Sequence, residues 1–466
     1  MKFDGFLGQS AAMSSMPINS QMCVNWYPER PLNEDASTNL AWRPVEGYTL
    51  YRDYIGLNDV STIFKVYANS AIRGMCRTAR GLGSNPSVNG SVIVVVGQFV
   101  VWEKFGSGTN EILGYVSELS TPVSMVDDGF GLIIVDGVSM YRLDLATKAF
   151  SQLPYELSNP QTVAFMGGHT ITQGTISGVP SGSFFVSDTY DNTTWNALEY
   201  GTAESSADPL TAVLVNGSYL WLFGPSSYEL WNPTGDSRKP FDRAYAAAGT
   251  IGLVAPRSVL SVGNNVVMVG SSTQGSPSIY MSSGTSFNKI STPALDQEMS
   301  KFDCSDCVAF SYTSNGHTFV VFNFDAMDKT YVYDISDGQK MWHQRSTRDQ
   351  LTDTMHRWYP NSLIQYAGKT YVGNRYAPKI YELSQNYTLE DGNTILRIGR
   401  TAFLRSPNKY LRVWSVGIEV DAGNGITNED PNRLGEEPEL MMQYSCDIST
   451  PPKEPILYCS YGDWPC

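Results

Sequence analysis

Tight turns recur along this chain at a spacing that few folds can use. They fall at Asn89-Gly90, Asp128-Gly129, Gly167-Gly168, Asn216-Gly217, Asn264-Asn265, Asn315-Gly316 and Ala367-Gly368. The early ones are 39 residues apart (Asn89 to Asp128, Asp128 to Gly167), and the later intervals are wider. Each belongs to a unit of two apolar strands and a shorter third one carrying Tyr or Trp, as in "LVNGSYLWLFGPSSYELW" and "NGHTFVVFNFDAMDKTYVYD". Asn-Gly, Asp-Gly and Gly-Gly pairs supply the positive φ that two-residue hairpin turns demand. After each turn large apolar residues alternate or run unbroken, the marks of half-buried and fully buried strands. Small sheets recurring about every 40 to 50 residues suit a β-propeller, in which radial repetition protects strand edges. The expectation is an all-β protein, a six- or seven-bladed β-propeller over residues 51–385; a β-sandwich of irregular hairpins is the alternative.

Composition agrees. Forty-one Gly, 25 Pro and 12% aromatic residues favour short strands and many turns. The run "VIVVVGQFVVW" (Val92 to Trp102) reads as two buried strands; it is too short for a membrane span, and none is expected. One helix is expected at "TPALDQEMSKF", with Thr292 as N-cap, Pro293 in the first turn, and Leu295, Met299 and Phe302 on one face. It should plug or bridge two blades. Residues 1–50 lack the repeat and read as an extended arm. Residues 386–466 read as a small C-terminal β-domain to which the arm contributes.

The charge narrows function. Thirty-two bases against 46 acids leave −14, too acidic for a protein that binds nucleic acid by neutralising phosphates. Such a surface does suit one past which DNA slides. Seven Cys are an odd number for a disulfide framework and fit a reducing cytoplasm. "MKFDGFLGQSAAMSS" lacks the apolar core of a secretory leader.

Chemistry is hard to place. The stretch Ser181 to Pro209 ("SGSFFVSDTYDNTTWNALEYGTAESSADP") gathers Asp188, Asp191 and Glu199 near Trp195. The Asp box of propeller sialidases, Ser-x-Asp-x-Gly-x-Thr-Trp, needs five residues from Asp to Trp, but Asp191 and Trp195 are four apart and the pattern occurs once. A glycosidase also needs two carboxylates across one sugar bond. Asx-turn residues on a long interblade loop are the plainer reading. "CSDC" (Cys304 to Cys307) has zinc-knuckle spacing, with His317 a conceivable third ligand, but a structural site takes four. A half-buried reduced pair near a helix end is expected. The four His are scattered. No catalytic residue, metal or cofactor is expected, although a carbohydrate-binding or glycan-cleaving propeller remains the alternative class.

Several segments carry a family resemblance. In order, "NWYPE", "FFVSDTYDNTTWNALEYGTAESSADPL", "LWLFGPSSYELWNPTGD", "PFDRAYAAAGTIGLVAPRSV" and "VMVGSS" resemble the tail hub, or nozzle, proteins of short-tailed bacteriophages, also called packaged-DNA stabilisation proteins. The likeness runs over roughly residues 20 to 420. It implies a propeller with an added β-domain and a homo-hexameric ring below the portal and adaptor. Such a ring closes and then conducts the DNA exit channel, and carries tail fibres or tailspikes and a plug or needle. It also implies double-stranded DNA passing without sequence-specific binding, a place in the virion tail, and no catalytic residue. Ser181 to Pro209 then becomes a blade connection with Phe184 and Phe185 in a strand, Trp195 buried and its acids at the surface.

Two charged segments become candidate contacts. "ILRIGRTAFLRSPNKYLR" carries Arg397, Arg400, Arg405, Lys409 and Arg412 and no acid, a surface for the adaptor or a neighbouring subunit. "IEVDAGNGITNEDPNRLGEEPE" carries seven acids against Arg433. Glu429, Asp430, Glu436 and Glu437 are its candidates for lining a DNA channel, where an acidic wall would keep the duplex from sticking.

Overall fold

The computed structural model describes residues 11–12, 20–29, 41–58, 64–83, 90–154, 156–203, 208–236, 238–272, 275–336, 341–400, 439–442 and 457–460. The chain divides into two units, Met1–Ala12 with Gln21–Thr401, and Met13–Ser20 with Ala402–Cys466. In the second unit the described part is an antiparallel pair, Glu439–Met442 with Leu457–Ser460.

The first unit is a seven-bladed propeller. Blade 1 runs from strand Ile72–Arg77 to strand Thr109–Tyr115, blade 2 from Ser124–Asp127 to Phe150–Gln152, and blade 3 from Val163–Met166 to Asp191–Thr202. Blade 4 runs from Ala212–Asn216 to Lys239–Gly249, blade 5 from Leu260–Val262 to Ser286–Lys289, with Ile251–Leu253 also pairing with its second strand Asn265–Ser272, and blade 6 from Val308–Ser314 to Trp342–Asp349. Blade 7 holds Pro360–Tyr366, Lys369–Asn374 and Lys379–Ser384, and its fourth strand is Gly47–Asp53, pairing antiparallel with Lys379–Ser384. First strands of successive blades lie side by side, and that of blade 7 returns to that of blade 1. The circle is thus closed by a strand from near the N-terminus.

The seven sequence turns mark one place in each blade, the link between its first and second strands; Asn89 of the first lies outside the described residues. Asn315 (φ 50°) and Gly316 (φ 82°) join Ser314 to its partner His317, and Ala367 (φ 50°) and Gly368 (φ 77°) join Tyr366 to Lys369. Two consecutive left-handed residues make the turn whose twist matches an antiparallel pair. One turn per blade is why counting turns counts blades.

Packing between blades explains the unbroken apolar runs. Val92, Val94 and Val96 face blade 7 residues Ile364, Tyr371 and Ile380, whereas Ile93 and Val95 face Leu132 and Ile134 of blade 2. Alternate side chains of one strand are therefore buried on both faces, each worth about 1.5–3 kcal/mol against exposure. The helix Pro293–Met299 lies between blades 5 and 6, capped by Thr292 Oγ1, which accepts from Leu295 N at 3.3 Å. Its Leu295 and Met299 join a core containing Val267 of blade 5 and Phe322 of blade 6. Phe302 departs from expectation: the helix ends at Met299, so Phe302 falls outside its apolar face and is exposed.

Ser181 to Pro209 is also corrected. Strands Ser183–Asp188 and Asp191–Thr202 make it the outer half of blade 3, with only its end serving as a connection. Phe184 and Phe185 are buried, but Trp195 is half-buried, its Nε1 donating to Asn192 O at 3.0 Å.

Candidate assembly site

The outer edges of blades 6 and 7 receive the segments that enter and leave the propeller. Strand Ser20–Val24 lies parallel to Trp342–Asp349 through Val24↔Gln344 and antiparallel to Ile398–Arg400 through Met22↔Arg400, Cys23↔Gly399 and Val24↔Ile398. Asn25 is the joint. It holds a left-handed conformation (φ 59°), which Asn tolerates better than most residues, and so breaks one strand into two. Its Nδ2 donates to Ser346 O at 2.9 Å and to Leu396 O at 2.8 Å, while its Oδ1 accepts from Ser346 N at 2.9 Å. One buried side chain thereby satisfies backbone groups of blade 6 and of the departing segment.

The next residues continue the grip. Trp26 stacks on Trp42 with ring centroids 6.4 Å apart, and the Arg397 guanidinium lies over Trp26 at 5.7 Å. Gly399 is needed here because a Cβ would stand 1.9 Å from Trp42 Cζ3. Tyr27 packs edge-on to Phe319 at 5.2 Å. Glu29 pairs with Arg43, and His317 Nδ1 lies 2.6 Å from Asp334 Oδ2. "NWYPE" is thus a docking sequence: Asn25 and Tyr27 meet blade 6, while Trp26 and Glu29 meet the neighbouring strand Ala41–Pro44.

Behind the clasp lies a buried polar cluster. Arg345 Nη1 donates to Glu46 Oε2 at 3.3 Å and to Tyr312 OH at 2.9 Å, and Nη2 donates to Glu46 O at 2.7 Å. Its guanidinium lies 3.7 Å from the Trp358 ring centroid. Trp358 Nε1 donates to Glu390 Oε1 at 3.1 Å. Arg345, Glu46 and Glu390 are each at most 3% exposed. Burial pushes the Glu390 carboxyl up to about 7 despite Arg345 nearby. Burial likewise holds His343, whose ring nitrogens make no hydrogen bond, near 3 and neutral. The cluster joins the arm (Glu46), blade 6 (Arg345, Tyr312), the start of blade 7 (Trp358) and the departing segment (Glu390). Sequence reading missed it; the signal was single charged residues, as in "PVEGY" and "MWHQRS", set among apolar neighbours.

Of the basic candidates, Arg397 is half-buried against Trp26 of the entering arm, with its pKa held below the usual range by burial. Arg400 is exposed on strand Ile398–Arg400. Arg405, Lys409, Arg412, Glu429, Asp430, Glu436 and Glu437 lie outside the described residues.

The remaining motifs serve structure. Asp191 caps its own turn, accepting from Thr193 N at 2.8 Å and Thr194 Oγ1 at 2.8 Å, and these bonds lower its pKa. Asn192 bonds Arg142 and donates to Asp128 Oδ2 at 2.6 Å, linking blade 3 to blade 2. Cys304 and Cys307 are fully and not half buried, and burial raises both thiols. No three-residue metal cluster exists among the described residues, and no helix there is long and apolar enough to cross a membrane.

The fold and its clasp define a β-propeller protein in which the segments entering and leaving the propeller are fixed to one pair of blades. The chain belongs to the family described as bacteriophage P22 Gp10, beta-propeller, whose model matches residues 56–388. That makes it a phage structural protein of the packaged-DNA-stabilising kind. No curated protein sequence matches it. Among solved structures it is similar to the extracellular domain of a putative one component system from B. thetaiotaomicron (8% identity, TM-score 0.44, 72% of this chain and 40% of that one). It is similar also to PorZ of Porphyromonas gingivalis (13% identity, TM-score 0.38, 72% and 39%) and to the Pan2 WD40 domain of Neurospora crassa (9% identity, TM-score 0.41, 69% and 98%). The chain spans less than half the length of the first two.

Proposed function

We propose that the protein is the nozzle of a short-tailed phage tail, a homo-hexameric ring held by an adaptor ring to the portal. It retains packaged DNA, conducts the duplex at ejection, and carries tail fibres or tailspikes and a plug or needle. Membership of the Gp10 propeller family over residues 56–388 carries this reading. Two physical features support it. A net charge of −14 per copy disfavours adhesion to a passing duplex. The clasp fixes both ends of the propeller at blades 6 and 7, as a part under load from pressurised DNA requires. The test uses particles made without this protein. Filled heads should lose their DNA to added nuclease and regain protection when purified full-length protein is supplied. Heads that keep their DNA without it would refute the proposal.

A further inference from the structure

Three guanidinium groups meet at one end of the propeller axis, and two of them have no acid within ion-pair distance among the described residues. Arg73 stands on the first strand of blade 1, Ile72–Arg77, and Arg257 in the short turn Pro256–Ser258 that leads into blade 5. Arg375 follows Lys369–Asn374, the second strand of blade 7. Blades 6 and 7 separate blade 5 from blade 1 on one side, and blades 2 to 4 separate them on the other. Yet the Arg73 charge bears on Arg257, and that of Arg375 on Arg73. Groups so placed reach one another only near the axis, where the first strands converge.

The acids beside them are engaged. Asp325 is shared, its Oδ2 lying 3.3 Å from Arg375 Nε and its Oδ1 2.6 Å from Arg357 Nε. Asp136 turns to backbone amides: Oδ1 accepts from Val138 N and Ser139 N, and Oδ2 from Ser117 N, each at 2.9 Å. Arg73 is 2% exposed. Its Nε donates to Thr121 O at 2.7 Å, and its Nη1 to Ser117 O at 2.7 Å and Gly97 O at 3.0 Å. These bonds fix the guanidinium plane and leave Nη2 buried without a hydrogen-bond partner. Arg257 is half-buried, and its guanidinium makes no hydrogen bond or ion pair among the described residues. Burial, joined by the Arg73 charge, draws its pKa down to about 10; burial does the same to Arg73, and both stay charged at neutral pH.

A charge taken out of water without a partner is costly, and a like charge nearby adds repulsion. An anion with several oxygens offsets both costs. Guanidinium groups suit such an anion because their planar donors take its oxygens two at a time. We propose that Arg73 and Arg257 hold one phosphate-type oxyanion on the propeller axis, a free ion or the end of a phosphomonoester, which ties blade 1 to blade 5. Arg375, its charge shared with Asp325, adds to the field and not to the contact. The site needs neither the ring nor the nozzle reading.

The test uses purified full-length protein dialysed into chloride and titrated calorimetrically with inorganic phosphate. The parent should bind one phosphate per chain and melt at a higher temperature in phosphate than in chloride of equal ionic strength. Arg257→Gln should bind about tenfold more weakly or worse and, relieved of the repulsion, melt no lower than the parent in chloride. Lys301→Gln, on the exposed surface, should bind as the parent does. A deoxynucleoside 5′-monophosphate that displaces phosphate at equal concentration would name a phosphomonoester as the source. One that fails to do so in about hundredfold excess would name the free ion, and either result upholds the site. No binding by the parent, or equal binding by Arg257→Gln, would overturn the proposal. So would an Arg257→Gln chain that melts lower in chloride, since Arg257 would then be held by the protein itself.

Discussion

Asn25 and Ser346 exchange two hydrogen bonds, Nδ2 to the carbonyl at 2.9 Å and backbone N–H to Oδ1 at 2.9 Å, across 321 residues of sequence. The pair behaves like one rung of a sheet made by a side chain. It lets the arm turn sharply without leaving blade 6 unsatisfied, and it ties the chain's entry to its exit through Leu396.

Replacing Asn25 by Ala should therefore cost about 2–4 kcal/mol, since buried backbone groups lose partners and a left-handed position receives a poor residue. Urea unfolding would measure the loss. Hydrogen exchange should quicken at residues 20–29 and 396–400 and stay unchanged in blades 1 to 4. Uniform quickening would show that the clasp is not a local unit.

Glu390→Gln tests the buried carboxyl. Its native pKa of about 7 lies above the ordinary 4.5, so the folded state holds a proton that the unfolded state releases between those values. That contribution is fully present below pH 4.5 and is lost as pH rises through 7, a swing of about 3 kcal/mol. The variant should be less pH-sensitive than the parent from pH 5 to 7.5 and more stable at pH 8. Parallel stability curves would show that Glu390 is ionised throughout.

Reversing Arg400 together with Arg405 to Glu should weaken docking onto portal-filled heads at physiological salt. Opposed charges at an interface rim act mainly on encounter rate. Sedimentation of heads with labelled protein measures it, and unchanged docking would remove this segment from the interface.

Replacing Glu429, Asp430, Glu436 and Glu437 by Lys should slow DNA ejection while rings still assemble and heads still fill. Six copies of the parent bring 6 × (−14) = −84 formal charges, and basic walls would bind phosphate. Single-particle ejection kinetics give the answer; a normal rate would place these residues away from the path.

What could be read in the sequence follows the range of the interactions. Each blade's first hairpin is local, so Asn315-Gly316 and Ala367-Gly368 reveal it from a few residues. The helix cap at Thr292 was visible for the same reason, while the helix end at Met299 was not, because "SKF" continues the apolar spacing. The clasp depends on partners such as Asn25 with Ser346 and Glu46 with Arg345, which no periodicity brings together. "NWYPE" served as a family mark before it had a physical meaning. Ser181 to Pro209 was mistaken for a connection because Asp191 and Asn192 are turn formers. They occupy the start of a strand, where one caps its own turn and the other bonds to blade 2.

Closure by Gly47–Asp53 also sets an order of events at the ribosome. The strand is made early, yet its partner Lys379–Ser384 emerges only after some 330 further residues, a wait on the order of tens of seconds at usual synthesis rates. Through that interval blade 7 cannot exist, and blades 1 and 6 each keep a bare flank. Nascent chains are thus vulnerable to premature association for most of their synthesis. A chain released before residue 384 carries at most six complete blades and lacks Glu390 and Leu396 as well. The circle therefore acts as a completeness check, because a shortened polypeptide cannot form the clasp.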